Sequence, residues 1–209
     1  MVELLNIMGD DLMVVNVARV SYGKQSNEIN DKDIKLLKYL YDHKHVSPWK
    51  HPQFQFRITC PIFVERQLFK HQIGMTSNSI SGRYVDFSES FWELKTLRKQ
   101  SIDSKQGSSN ELLSDTELLK QWNNTINMAQ NTYNNMVEKG VAKELARTVL
   151  PLALNTTFVW TGSLLAYLHL FELRLKPDAQ EETRIVVQNI LDLVRQAGKF
   201  EHTLKAWGY

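Results

Sequence analysis

Residues 53–61 read Gln53-Phe54-Gln55-Phe56-Arg57-Ile58-Thr59-Cys60-Pro61, and the chain continues Ile62-Phe63-Val64-Glu65-Arg66-Gln67-Leu68-Phe69-Lys70-His71-Gln72. The first stretch alternates. Phe54, Phe56, Ile58 and Cys60 point one way; Gln53, Gln55, Arg57 and Thr59 point the other. A period of two with one apolar face predicts a half-buried strand. Pro61 ends that strand and opens a helix, because its missing N–H costs nothing in a first helical turn. The helix is expected over 62–73. Gly74 to Tyr84 shows neither period and reads as an ordered loop.

On the N-terminal side, residues 2–8 read as an edge strand. A turn at Gly9-Asp10-Asp11 and a strand or short helix over 12–20 come next. Ser21 to Asn30 is polar and turn-like. Asp31 can cap a helix over 32–42 with Ile34, Leu37, Leu40 and Tyr41 on one face. His45 to Pro52 reads as a loop. On the C-terminal side, residues 99–110 lack any apolar period and read as a mobile excursion. Helices then dominate: 115–139, with Leu118, Trp122, Ile126, Tyr133 and Met136 near one face and Gly140 as a stop; 141–150, ending at Pro151; 162–174; and 178–197, with Ile185, Ile190 and Val194 inward and Gly198 closing it.

Composition narrows the classes. The chain has 209 residues, 43% hydrophobic and 23% charged, as in a soluble globular protein. A net charge of +2 gives no general grip on nucleic acid. One cysteine excludes an internal disulfide and suggests a reducing cytoplasm. The start Met1-Val2-Glu3-Leu4-Leu5-Asn6 lacks the basic, then long apolar, pattern of a signal peptide. No apolar run approaches the roughly 18–20 residues that span a bilayer.

Chemistry-bearing residues concentrate after the strand. Lys70, His71 and Gln72, then Ser79, Ser81, Gly82, Arg83 and Tyr84, put many donors beside a rigid element, which suits an oriented anionic ligand. Arg147 lies late in a predicted helix, and Arg174 ends the apolar run Leu164–Leu173. Either they snorkel or cap helix C-termini, or they are driven into a partly buried site where an anion such as phosphate matches the guanidinium fork. His71 can likewise serve a local hydrogen bond or a site. The histidines lack metal-protease spacing and a lone Cys60 makes a thiolate zinc site unsupported, so no metal is expected. Cys60 falls on the apolar strand face, which favours inert packing over nucleophilic catalysis. No P-loop, GxGxxG or GxSxG frame occurs.

Several separated blocks, in order, resemble the flavin-dependent thymidylate synthase family. They are Val2-Glu3-Leu4 with Met8 to Leu12; Ala18-Arg19-Val20-Ser21; His45-Val46-Ser47-Pro48-Trp49-Lys50-His51; Pro61 to Val64 with Arg66-Gln67; Ser81-Gly82-Arg83-Tyr84; Arg147 with Val149-Leu150-Pro151-Leu152; Phe158 with Trp160-Thr161; and Leu173-Arg174 with Ala179-Gln180. The chain resembles a divergent member. Lys70-His71-Gln72 stands where the family has Arg-His-Arg, and one extra residue precedes Ser81. Asn78-Ser79 replaces Asn-Glu. Ser163 and Leu165 stand at an Asn and an Arg that help hold flavin in the family.

The resemblance implies an α/β (α+β) fold, with a small central mixed or antiparallel sheet flanked by helices and a helical second half, in a single domain over 1–209. It implies methylation of deoxyuridine monophosphate at C5. Methylenetetrahydrofolate would give the carbon and FAD, recharged by NADPH, the electrons, with no cysteine nucleophile. It also implies a homotetramer with sites shared between subunits. Residue by residue, it assigns nucleotide contacts to Gln67, Lys70, Ser81, Gly82, Arg83, Arg147 and Arg174, with Arg174 and Ser81 nearest the chemistry. His51, His71, Gln72 and Ser163 would line the flavin or folate pocket. Two other outcomes stay open: a diverged pyrimidine-nucleotide C5-modifying enzyme, such as a hydroxymethylase, and a nucleotide-binding homologue without turnover.

Overall fold

A computed structural model describes residues 1–86, 90–102 and 107–209. Its centre is a four-stranded, wholly antiparallel sheet in the order β1-β2-β6-β3. β1 is Val2–Met8, β2 is Gln53–Pro61, β3 is Met75–Ser79 and β6 is Asn155–Ser163. β2 and β6 form the middle of the sheet, in register from Gln53 opposite Ser163 to Pro61 opposite Asn155. Phe54, Phe56, Ile58 and Cys60 are all buried, as the alternation requires. The other face carries Gln55 hydrogen-bonded to Thr161, Thr59 to Thr157 and Arg57 to Glu3. One packed face and one polar face are normal for an antiparallel sheet.

Helices cover the packed face. α1 (Asp11–Arg19) and α2 (Asp31–Asp42) precede β2, and α3 (Ile62–Leu68) comes after it. α2 starts in a capping box, with the Asn30 side chain accepting from the backbone and Asp33 answering. α6 (Leu164–Arg174), α7 (Glu181–Gln196) and α8 (Glu201–Trp207) complete the layer. Val64, Leu168, Tyr167, Val187, Ile190 and Phe200 are fully buried in one continuous core with the sheet's aromatic rings. A second lobe holds a hairpin, β4 (Leu97–Gln100) with β5 (Ser108–Leu113), then α4 (Thr116–Glu138) and α5 (Lys143–Ala146).

The structure corrects several expectations. Residues 155–161, assigned to no element from sequence, form most of a central strand, so the helix expected at 162 starts at Leu164. The second half is helical, as expected, apart from β5 and β6. The loop expected over 74–84 contains the edge strand β3, defined by backbone pairing alone, since Thr76 to Ser79 are exposed. The helix expected over 62–73 stops at Leu68, because Phe69 and Lys70 close it with turn hydrogen bonds to Glu65 and Gln67. The excursion at 99–110 has hairpin ends; its residues 103–106 lie outside the described region. The expected helix over 141–150 is the short α5 plus a 3-10 turn at Arg147–Val149. Residues 12–20 are helical, 47–50 form a 3-10 turn, and 201–207 add a helix not anticipated. On α7 the inward residues include Val186, Val187, Ile190, Leu191 and Val194, whereas Ile185 faces solvent. On α4 only Ile126 and Tyr133 of the expected stripe are buried, and Leu118 is exposed.

Candidate functional site

α6 buries seven of its eleven residues in the core and leaves His169, Glu172 and Leu173 exposed, so its last residue is delivered to a fixed place. That residue is Arg174, half-buried, whose Nε donates to His71 Nε2 at 2.9 Å. His71, expected in a helix, instead sits in the turn after α3, its N–H bonded to the Leu68 carbonyl. Burial and then the Arg174 charge push the His71 pKa below its ordinary value of 6.5. The ring is thus neutral at pH 7. Because Nε2 accepts, its proton resides on Nδ1. Among the described residues no hydrogen bond engages the Arg174 terminal nitrogens, which suits contact with an anion or a carbonyl.

Gln67, one turn before His71, is anchored from beneath. Its Oε1 accepts from the buried Thr183 hydroxyl at 3.0 Å and its Nε2 donates to Gln180 Oε1. Ser81, Gly82 and Arg83 share one turn: the Tyr84 and Val85 N–H groups donate to the Ser81 carbonyl, and Arg83 N–H donates to Ser81 Oγ at 3.3 Å. Glu65 steadies the approach to this turn by accepting from Ser79 Oγ, and burial raises its pKa against that hydrogen bond and nearby Arg66. Asp86, just beyond, bonds Tyr133 of α4 and pairs with Lys143 of α5. The turn is thereby tied to the lobe that carries Arg147. Lys70, Arg83 and Arg147 are exposed to differing degrees at the surface. Among the described residues, none of these three nor Arg174 pairs with a carboxylate, so their charge is available to a ligand.

A groove of about 590 Å³ opens two residues beyond His71, lined by Val46, Lys50, Gln53, Ile73, Gly74, Ser163, Leu165, Ala166 and His169. That size is typical of small-molecule and cofactor pockets. Gly74 forms part of its wall with φ +74°; a Cβ there would lie 2.9 Å from Ser163 Oγ and 3.3 Å from the Ala166 methyl. Ser163 lines the groove and caps α6 by accepting from Ala166 N–H. Residues 70–74 therefore run from the arginine–histidine pair to the groove wall. Mostly apolar walls with Lys50, Gln53, Ser163 and His169 among them suit an aromatic, anionic cofactor such as a flavin. Gln72 and His51 are exposed and are not among the groove's lining residues.

The predicted residues thus fall into three places: Arg174 with His71, and Gln67 and Lys70 in the same turn region of α3; the Ser81–Arg83 turn; and Ser163 in the groove. Arg147 stands apart on the helical lobe. Cys60 is buried, its thiol pushed to about 12 by burial and by Glu65, which suits packing and not catalysis. Among the described residues no cluster could hold a metal ion. Sequence reasoning missed the supports Gln180 and Thr183 and the lining residues Lys50, Gln53, Gly74 and His169. Gln180 lay within a matched block without a role, and His169 is four residues from Leu165, on the same helical face.

Fold and site define the class first: an antiparallel α/β protein in which a half-buried arginine–histidine pair is joined by residues 70–74 to a mostly apolar groove. Comparison with known proteins agrees. The profile of the family described as thymidylate synthase complementing protein matches residues 3–197. A flavin-dependent thymidylate synthase of Thermus thermophilus is 42% identical over 195 residues, covering 93% of this chain and 71% of that protein. One of Thermosipho africanus is 36% identical over 199 residues, covering 93% and 85%. A UMP/dUMP methylase, PolB of Streptomyces cacaoi, crystallised with 5-Br dUMP, superposes with a TM-score of 0.84 at 27% identity, covering 99% of this chain and 94% of that one. The chain belongs to the thymidylate synthase complementing protein family.

Proposed function

We propose that this chain is an FAD-dependent thymidylate synthase that methylates deoxyuridine monophosphate at C5. Methylenetetrahydrofolate would supply the carbon and NADPH the electrons. The carrying observation is the Arg174–His71 contact at 2.9 Å, which joins residues from two distant parts of the chain into one half-buried cationic corner. Family membership and the dUMP-analogue complex of the PolB neighbour support the same substrate.

In this reading Lys70, Arg83 and Arg147 hold the nucleotide phosphate, with Gly82 allowing close backbone approach and Ser81 hydrogen-bonding the nucleotide. Gln67 contacts the nucleotide from α3. Arg174 steers the pyrimidine ring and stabilises charge that gathers on its carbonyl as C5 becomes nucleophilic. C5 would bond to the methylene carbon as that carbon's bond to the folate nitrogen breaks and tetrahydrofolate leaves; C5 would lose its hydrogen as a proton, and a hydride originating from NADPH would complete the methyl group. His71, neutral, orients Arg174 without repelling it. The groove at Ser163, flanked by His71, Gln72 and His51, would seat FAD, which when bound supplies the two-electron reduction. The whole of 1–209 acts as one domain. Surface-lying Lys70, Arg83 and Arg147 are completed by neighbouring copies in a homotetramer, which light scattering tests directly. No helix among the described residues is long and apolar enough to cross a membrane, and the lone buried thiol suits a cytoplasmic protein.

One observation favours a second reading. Leu165 makes the groove more apolar where the family pattern has an arginine, so flavin would be held less by charge. A diverged C5-modifying enzyme, with water trapping the exocyclic methylene, would then give a hydroxymethyl product. Incubation with dUMP, methylenetetrahydrofolate, FAD and NADPH, followed by mass analysis of the nucleotide, separates the readings. A gain of CH2 supports thymidylate synthesis, a gain of CH2O supports the second reading, and an unchanged nucleotide refutes both in favour of a non-catalytic nucleotide binder.

A further inference from the structure

The hairpin outside the main sheet reaches toward the site through one side chain. Arg98 of β4 has all three guanidinium nitrogens engaged. Nε donates to Ser108 Oγ of β5 at 3.0 Å, Nη1 to Glu181 at 2.6 Å and Nη2 to Glu182 at 2.6 Å. Both carboxylates lie in the first turn of α7, where the helix dipole also favours them. Glu182 is nearly enclosed, with 10% of its side chain exposed. Its other oxygen accepts from Gln180 Nε2 at 3.0 Å. Gln180 Oε1 in turn accepts from Gln67 Nε2, and Gln67 Oε1 accepts from Thr183.

This relay of hydrogen bonds has a direction. A carboxylate can only accept, so Glu182 compels Gln180 to turn its amino group toward it and its oxygen toward Gln67. Gln67 must then present its amino group to Gln180 and its oxygen to the Thr183 hydroxyl. Burial opposes the charge on Glu182, but the Arg98, backbone and Gln180 hydrogen bonds outweigh it and hold its pKa below the usual carboxylate range. Without that charge, either amide could rotate by half a turn with little loss.

We propose that Arg98, Glu182 and Gln180 are positioning residues that fix which edge of the Gln67 amide faces the nucleotide. The hairpin thus takes part in substrate recognition from outside the sheet. The inference rests on the reading of Gln67 as a nucleotide contact.

The test measures dUMP dissociation constants by calorimetry on the full-length, FAD-supplemented protein, with melting temperatures alongside. Gln67→Ala is expected to weaken binding. Glu182→Gln, isosteric but uncharged, is expected to weaken it about tenfold, the size of one lost charge-assisted hydrogen bond. The double variant Gln180→Glu with Glu182→Gln moves the carboxylate one place along the relay. Residue 182 then donates to residue 180, residue 180 accepts from Gln67, and the Gln67 amide regains its orientation; binding is expected within about threefold of wild type. The swap does not rebuild the Arg98–Glu182 ion pair, so a merely structural role would not be rescued. Failure of the double variant to recover binding overturns the inference. So does undiminished binding in Glu182→Gln while Gln67→Ala is impaired, which leaves the site reading intact. Unchanged binding in Gln67→Ala overturns both.

Discussion

The two central strands each lead straight into a helix, yet the two strand–helix units differ in how firmly they hold the residues at their far ends. β2 and β6 are nine residues each and pair along their whole length. α6 buries seven of its eleven residues, so it behaves as a rod set in the core, and Arg174 at its end has little freedom. α3 buries only Val64 and Leu68, ends after seven residues, and releases residues 69–74 to cross to the groove. The comparison shows a division of labour. The enclosed helix fixes one cation, while the short helix supplies a turn that can adapt to a ligand and carries Lys70 and His71.

The largest effect should come from breaking the rod. Leu168 is fully buried on α6, and Leu168→Ala is expected to cost about 2–5 kcal/mol in chemical denaturation. A loss below about 1 kcal/mol would mean α6 is not held as described. Next, the two cations should differ. Arg174→Ala is expected to weaken dUMP binding about a hundredfold and Arg174→Lys about tenfold, because lysine lacks the fork and cannot donate to His71 in the same plane. Lys70→Ala, on the adaptable turn, should cost less than about tenfold. Equal losses at both positions would erase the distinction between the two units.

A smaller effect comes from the histidine that joins them. The folded-state pKa of His71 lies below its unfolded value, so folding disfavours its proton. The stability present above pH 6.5 is lost as pH falls from that value through the folded pKa, and the neutral side of the window should be flat. His71→Gln should flatten the melting-temperature profile below pH 6.5; an unaltered profile would count against the contact. The smallest effect belongs to β2 itself. With its thiol pushed to about 12 and buried, Cys60 should resist iodoacetamide in the folded protein. Cys60→Ala should keep dUMP turnover, and inactivation by the reagent would contradict its inert role.

How much was legible depended on where each signal resides. β2 was readable because its inward residues are all apolar. β6 was not, because its inward face is Thr156, Phe158, Trp160 and Gly162, while outward Val159 blurs the alternation. Gly162 suits close packing: a Cβ there would sit 2.1 Å from Met75 Sδ, so the methionine side chain would have to move, and 3.1 Å from the Gly74 carbonyl. β3 carries no period at all, since an exposed edge strand is defined by its partner. At the site, the cations and His71 stood out by type and by family likeness. Their supports, Thr183, Gln180 and Glu182, look like ordinary polar residues at a helix start.

Local chemistry by itself determined the strand at 53–60, the spans of the four longest helices, the buried inert cysteine and the identities of the charged residues. Those features depend on neighbours a few positions away, where periodicity, caps and proline act. Only the tertiary structure decided that β6 lies beside β2, that Arg174 meets His71, and that Arg98 reaches Gln67 through α7. Each of these joins segments far apart in the chain, and such pairings arise from the common core that α6 and the sheet build together, which no short window of residues contains.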